Sequence, residues 1–297
     1  MTRTGRDRAA DNEGAAMYLA TIRLGDTTRA VKRIERDGQT QLIDLGYPDV
    51  RAVLEDPEGL TRAAAVVDGT VYAAGAADFA PPVVDPGKVV CVAHNYGEHF
   101  NLLGLRVPEH PRLSTKFSSA LIGPNDPIVV PSDSHALDPA VELTIIIGKS
   151  VRHADDDEAA AAIAGFTVLN DVADRSLAFE TDEWALGDAW DRSTPMGPYV
   201  VTPEELSGGI RPTLTLSTRV DDTEVQTGDT ADLHFDPVHV VRRVSRFMQL
   251  SPGDVIATGS PVTPVHRHGA DAHLKPGQVV VAAIDGIGEC RNTVVAQ

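Results

Sequence analysis

A chain of 297 residues carrying 43 acidic against 26 basic side chains, with a formal net charge of −17, repels polyanions; nucleic acid and anionic membrane surfaces are set aside as partners and small-molecule chemistry becomes the expectation. Its apolar runs are of strand length, short of the roughly 20 residues that a membrane-spanning helix needs. At this length the chain can bury a large core, as one big domain or a big one with a small appendage.

The first sixteen residues, MTRTGRDRAADNEGAA, are polar and lack the apolar stretch of a secretory signal, so residues 1–16 are expected to be a disordered tail. Residues 17–83 read as a small α+β unit. MYLATIRL, AVKRIERD and QLIDL are strand-like runs separated by Gly-Asp and Asp-Gly turns, PDVRAVLEDPEGLTRAAAVV is more helical, and the Pro-rich FAPPVVDPG closes the unit. From residue 84 to 297 the pattern is mainly β. VVCVA (89–93), PIVVP (127–131), VELTIIIG, FTVLND (166–171), PYVVT (198–202), TLTLSTRVD (213–221), DVIATG (254–259) and QVVVAAIDGIG (278–288) read as strands. Two helices stand among them. DDDEAAAAIAG has acids in its first turn and Gly165 as its expected C-cap, and DPVHVVRRVSRFMQL places Pro237 at the first helical position after Asp236. The fold class expected is α+β, mainly β, with helices outside. Cys91 and Cys290 lie in β-like apolar surroundings and read as small core residues in a reducing, cytoplasmic compartment.

Polar groups gather at strand ends. HNYGEH, residues 94–99, follows VVCVA directly, and His99 is a candidate general base because an imidazole titrates near neutrality; a structural or solvated histidine is the alternative. Lys116 lies beside Ser118 and Ser119, and alone would read as a solvated lysine. Asp171 ends an apolar strand, where it fits a site acid or a helix N-cap equally. ATGSP, residues 257–261, is a tight loop able to offer N–H groups or the Thr258 hydroxyl to an anion, or a plain turn. One feature of DPAVELTIIIG stands out: Glu142 is the lone glutamate, with Ala140 two positions earlier.

Taken in order, HNYGEH, KFSSALIGPNDPIVVP, VELTIIIGK, IAGFTVLNDVADRS, STPMGPYVVT, LSPGDVIATGSP and GIGECRN resemble the fumarylacetoacetate hydrolase family over residues 84–297, and the N-terminal unit resembles that of many bacterial members. The resemblance implies a mixed β-roll catalytic domain, a homodimer, and action on β-diketo or 2-oxo acids through Mg2+ or Mn2+. A hard cation of this kind takes oxygen ligands and stabilises an enolate. The family supplies a Glu-x-Glu pair on a strand, whose members share one side, and an Asp from an Asn-Asp motif. By resemblance Glu142 and Asp171 are metal ligands, His99 and Lys116 catalytic, and Asn95, Tyr96, Ser118, Arg175, Gln226, Thr258 and Gly259 substrate-binding.

The departures are as informative. Ala140 stands where the first glutamate is expected, so two of three metal carboxylates remain, and Asp138 lies about 7 Å too far along the strand to substitute. Asp188 stands where a lysine is usual, and Leu102 where a glutamate would pair with His99, although Glu98 is adjacent in sequence. Three readings follow: a metal-assisted hydrolase, decarboxylase or tautomerase; a repurposed, metal-independent enzyme of cyclisation, dehydration or isomerisation in a biosynthetic pathway; and a catalytically silent binding protein.

Overall fold

The computed structural model of the protein describes residues 16–36, 38–178, 180 and 185–297. The tail expected over 1–16 lies, Ala16 apart, outside them. The N-terminal part comprises β1 (Tyr18–Leu24), β2 (Thr27–Arg36), β3 (Gln39–Asp44), α1 (Val50–Glu55), α2 (Gly59–Ala65) and β4 (Val71–Ala73). There follow β5 (Val89–Ala93), α3 (Gly97–Leu102), β6 (Arg112–Lys116), β7 (Leu121–Ile122), β8 (Ile128–Val130), β9 (Leu137–Asp138) and β10 (Val141–Ile147). Next come α4 (Asp156–Ala162), β11 (Ile163–Asn170), β12 (Ala173–Asp174), α5 (Arg175–Ala178), α6 (Ala185–Asp188) and β13 (Thr194–Val201). The chain closes with β14 (Thr215–Val220), β15 (Thr223–Asp229), α7 (Pro237–Ser245), β16 (Val255–Ala257), α8 (Pro264–His268), β17 (Val279–Ile284) and β18 (Gly288–Ala296).

These strands form a large mixed sheet in the order β4-β3-β2-β1-β13-β11-β10-β16-β5-β6, with β7 joined to β13, and a second sheet in the order β15-β14-β17-β18-β8. The N-terminal strands belong to the large sheet, because β1 pairs antiparallel with β13. At its centre β10 is buried along its whole length, and period-two alternation decides which neighbour each side chain meets. Leu143, Ile145 and Ile147 join the core shared with β14, β17, α4 and α7. Ile146 faces the other way, into a core that includes Val50, Val53 and Leu54 of α1. A sheet covered on both faces explains the near-continuous apolar run that identifies β10 in the sequence.

Both expected helices form. Asp155 and Glu158 make a reciprocal capping box on α4, and Asp236 accepts from His239 N at the start of α7, with Pro237 in its first turn. Gly165 is not a C-cap. The chain passes from α4 directly into β11, and Gly165 lies inside that strand, where a Cβ would come within 2.4 Å of Val201 O; the small residue is required by close strand packing rather than by a helix end. QVVVAAIDGIG is a hairpin arm and its turn, not a single strand, and its partner β18, like β6, was not evident in the hydrophobic pattern. HNYGEH is no plain loop either, since its second half opens α3.

Candidate active site

The ends of β5, β10 and β11 converge on a cavity of about 300 Å3. Its wall includes His99, Ala140, Glu142, Asp171, Arg175 and Asp188. A larger cleft of about 1200 Å3, which Leu60 of α2 and Ala160 of α4 help to form, has no histidine among its lining residues, and the smaller cavity, which gathers His99 with the carboxylates, is the candidate site. The register Val141↔Asn170 sets the end of β11 beside the start of β10. Asn170 Oδ1 accepts from Ala140 N at 3.1 Å and Asp171 N donates to Ala140 O at 2.7 Å, which fixes the two carboxylate-bearing segments side by side.

Glu142 is 4% exposed and its Oε2 accepts from Gly259 N at 2.7 Å. The ATGSP loop does offer an N–H, and its acceptor is the protein's own Glu142 carboxyl. Gly259 has φ +93°, and a Cβ there would lie 2.8 Å from Val92 O, so glycine is needed for the approach. Burial first, then the charge of Asp171, pushes the Glu142 pKa well above the carboxylate range. Burial also raises Asp188, to about 6, against the pull of Lys116. Lys116 Nζ is fully buried, 2.8 Å from Asp171 Oδ1 and 3.9 Å from Asp188 Oδ1, and donates to the carbonyls of Val172 and Asp188 at 3.2 Å. Burial alone would lower its pKa, but Asp171 and Asp188 outweigh it and the value is raised. Lys116 is therefore a fixed ammonium.

His99 is 3% exposed, and neither ring nitrogen makes a hydrogen bond in good geometry among the described residues. Its ring stands edge-on to His94 at 5.3 Å and to His266 at 5.7 Å between centroids. Burial, reinforced by both neighbours, lowers its pKa to about 4, with the Ser260 backbone opposing them. At neutral pH the imidazole is uncharged and able to accept a proton. The sequence-adjacent Glu98 does not serve it, for Glu98 Oε1 accepts from Arg267 Nη2 at 2.7 Å, and Leu102 is 52% exposed.

The other expected site residues divide. Arg175 lines the cavity, held by Asp138, whose Oδ2 accepts from Nε and Nη2 at 2.9 Å; Asp138 is thereby occupied as a partner for arginine. Asn95 joins loops, donating to Phe235 O and Thr258 O and accepting from Phe235 N. Gln226 accepts from Val141 N and Thr218 Oγ1 and donates to Pro261 O, and Thr258 Oγ1 donates to Leu143 O. Tyr96 is buried at the start of α3, while Ser118 is half-buried and away from the cavity wall. Sequence reasoning missed His94, Arg112, Ser114 and His266, all of which line the cavity. A signal existed for His94, two residues before Tyr96 in the same motif; none pointed to His266.

The residues present do not reproduce a three-carboxylate metal site. A methyl group stands at position 140, Glu142 is engaged by Gly259 N–H and Asp171 by an ammonium. Among the described residues no group of three or more His, Cys, Asp or Glu side chains is disposed to hold a metal ion, and no helix is long and apolar enough to cross a membrane.

Against known proteins, the model for the fumarylacetoacetate (FAA) hydrolase C-terminal family matches residues 88–295. The chain is similar to the mitochondrial oxaloacetate tautomerase Fahd2a of Rattus norvegicus, 35% identical over 218 residues that cover 73% of this chain and 69% of that protein. Its fold is similar to that of 5-carboxymethyl-2-hydroxymuconate delta-isomerase from Mycobacterium smegmatis, with TM-score 0.77, 27% identity, and 95% and 99% of the two chains covered. The fumarylacetoacetate hydrolase of Exiguobacterium antarcticum gives TM-score 0.80 at 27% identity over 95% of this chain and 100% of that one.

Proposed function

The chain belongs to the fumarylacetoacetate hydrolase family, and from that premise we propose that it is a keto–enol isomerase of a 2-oxo acid in which His99 moves the proton. The observation that carries this reading is a neutral, buried imidazole whose ring nitrogens meet no side-chain partner among the described residues, sharing one cavity with the buried Glu142 carboxyl. Isomerisation asks for a base at the carbon beside the ketone and a proton donor at the carbonyl oxygen. His99 takes the C–H proton, the C–H pair becomes the carbon–carbon double bond, the carbonyl π pair moves onto oxygen, and the buried carboxyl of Glu142, held protonated by burial and the charge of Asp171, gives that oxygen its proton. An acid kept neutral by burial is a recognised way to stabilise an enolate.

Hydrolysis of a carbon–carbon bond needs in addition a water oriented against the base, and among the described residues no carboxylate pairs with His99 to do so. Lys116 is a positioning residue, since its ammonium faces Asp171 and Asp188 rather than the cavity. The names of the rat tautomerase and the mycobacterial isomerase support the same kind of chemistry. The test is deuterium exchange at C3 of 2-oxo acids, followed by NMR. His99→Gln is expected to slow exchange by about 100- to 10,000-fold with its secondary structure unchanged, and exchange within three-fold of the parent would remove His99 from the reaction.

A further inference from the structure

An isomerase cycle leaves His99 with a proton to dispose of. The imidazole takes the C–H proton while the donor to oxygen supplies a different one, so His99 must shed its proton before the next substrate reacts. At 3% exposure the ring has little contact with solvent, and Leu102 stands, 52% exposed, where the resemblance to the family places a glutamate partner. His94 and His266 flank His99 on the cavity wall, and both are half-buried, so each reaches solvent.

The two flanking rings differ in their surroundings. Burial lowers the pKa of both. For His94 the charges of Arg112, His266 and Arg175 act in the same direction; for His266 Arg175 does so too, but Asp138 opposes it and favours the imidazolium. His266 is also held in place. Its Nδ1 lies 2.9 Å from Thr263 Oγ1, a buried residue on the cavity wall. Asp138 Oδ1 accepts from Val265 N at 3.3 Å, which fastens α8 beside the arginine that the same carboxylate clamps. In the tautomer whose Nδ1–H donates to Thr263, the Nε2 lone pair is left to take a proton. The ring stands edge-on to His99 at 5.7 Å between centroids, a gap that one water molecule bridges.

We infer that His266 is the proton outlet of His99, taking the proton across one bridging water and releasing it to solvent. The inference rests on the isomerase reading above. The imidazolium of His99 gives up an N–H, the water accepts that proton and passes one of its own to His266 Nε2, and buffer removes it there. Each N–H or O–H bond broken is matched by one formed, and no electron changes hands. By microscopic reversibility the same path loads His99 when an enol returns to its ketone.

The test follows ketonisation of the enol of oxaloacetate by its loss of ultraviolet absorbance, on the full chain, in dilute buffer and then with rising imidazole, each rate corrected for the enzyme-free blank. His266→Ala is expected to lower kcat by about 100-fold, the lower end of what a positioned acid–base group contributes. Its KM should stay within about three-fold of the parent, because the missing group acts on proton transfer rather than on binding. Imidazole should return kcat toward the parent value in a saturable way and leave the parent itself unmoved. His266→Gln keeps a polar side chain near Thr263 but carries no titratable proton; it should lose as much as His266→Ala at an unchanged melting temperature. His268→Ala, which removes an exposed histidine outside the cavity wall, should keep the kcat of the parent. A kcat within about two-fold of the parent in His266→Gln, or a loss in His266→Ala that imidazole does not restore, overturns the outlet and leaves the isomerase reading standing. No acceleration by the parent above the blank refutes the isomerase reading and the inference with it.

Discussion

His99 should make the fold acid-labile in a window that its own replacement removes. The imidazole is lowered from 6.5 to about 4 by burial and by His94 and His266, so between those values the unfolded chain binds a proton that the native state refuses. The sign follows from linkage: stability rises with pH where the unfolded state holds more protons. The penalty is absent above about pH 6.5, grows as pH falls, and is complete below about pH 4. At about 1.4 kcal/mol per pKa unit the full penalty is about 3 kcal/mol, and at pH 4.5 most of it is present. Asp188, raised to about 6, acts oppositely, because the native state holds its proton between about pH 6 and the ordinary 3.8 and gains stability there on acidification. The parent's own pH profile therefore mixes two signs, and the informative quantity is the difference between parent and His99→Gln. Urea unfolding followed by tryptophan fluorescence from pH 7.5 to 4.5 measures it. Across that range the variant should gain about 2 to 3 kcal/mol relative to the parent. A difference that stays constant within about 0.5 kcal/mol would mean that His99 is not held neutral by its surroundings, and the argument for it as a base at neutral pH would lose its electrostatic support.

Two further substitutions test the carboxylate wall. Lys116→Met leaves Asp171 and Asp188 together without their ammonium. Removing one partner of a buried pair costs about 3 to 5 kcal/mol, so urea unfolding at pH 7.5 should show a loss of that order, shrinking toward pH 5 as a carboxyl takes up a proton; a loss below about 1 kcal/mol would show that the pair is solvated. Ala140→Glu restores two same-side glutamates beside Asp171. Millimolar Mg2+ should raise the melting temperature of this variant and leave the parent unmoved, the gain being about 2.7 kcal/mol at a hundred times the dissociation constant. No Mg2+ response in the variant would mean that positions 140 and 142 do not present their side chains to one ion.

The sequence by itself determined what depends on near neighbours along the chain. The unbroken apolar run of β10 marks a strand covered on both faces, Asp236-Pro237 starts α7, and Glu142 in β10 and Asp171 just past β11 fall where the resemblance to the family's Glu-x-Glu and Asn-Asp motifs puts them. The loss at Ala140 was equally visible, since a missing carboxylate needs no geometry to be noticed. Where local rules were misleading, packing between strands decided: Gly165 answers to Val201 O across the β11–β13 pairing rather than to a helix end. The tertiary structure alone decided the electrostatics of the site. The parallel pairing of β16 with β5 brings the following segment and His266 to His99. The β5–β6 pairing turns Arg112 and Ser114 into the cavity, and burial sets Lys116 against Asp171. A pKa is the sum of desolvation and all charges within a few ångströms, and for this cavity those charges come from segments spread from residue 94 to residue 266, so no window of sequence contains them.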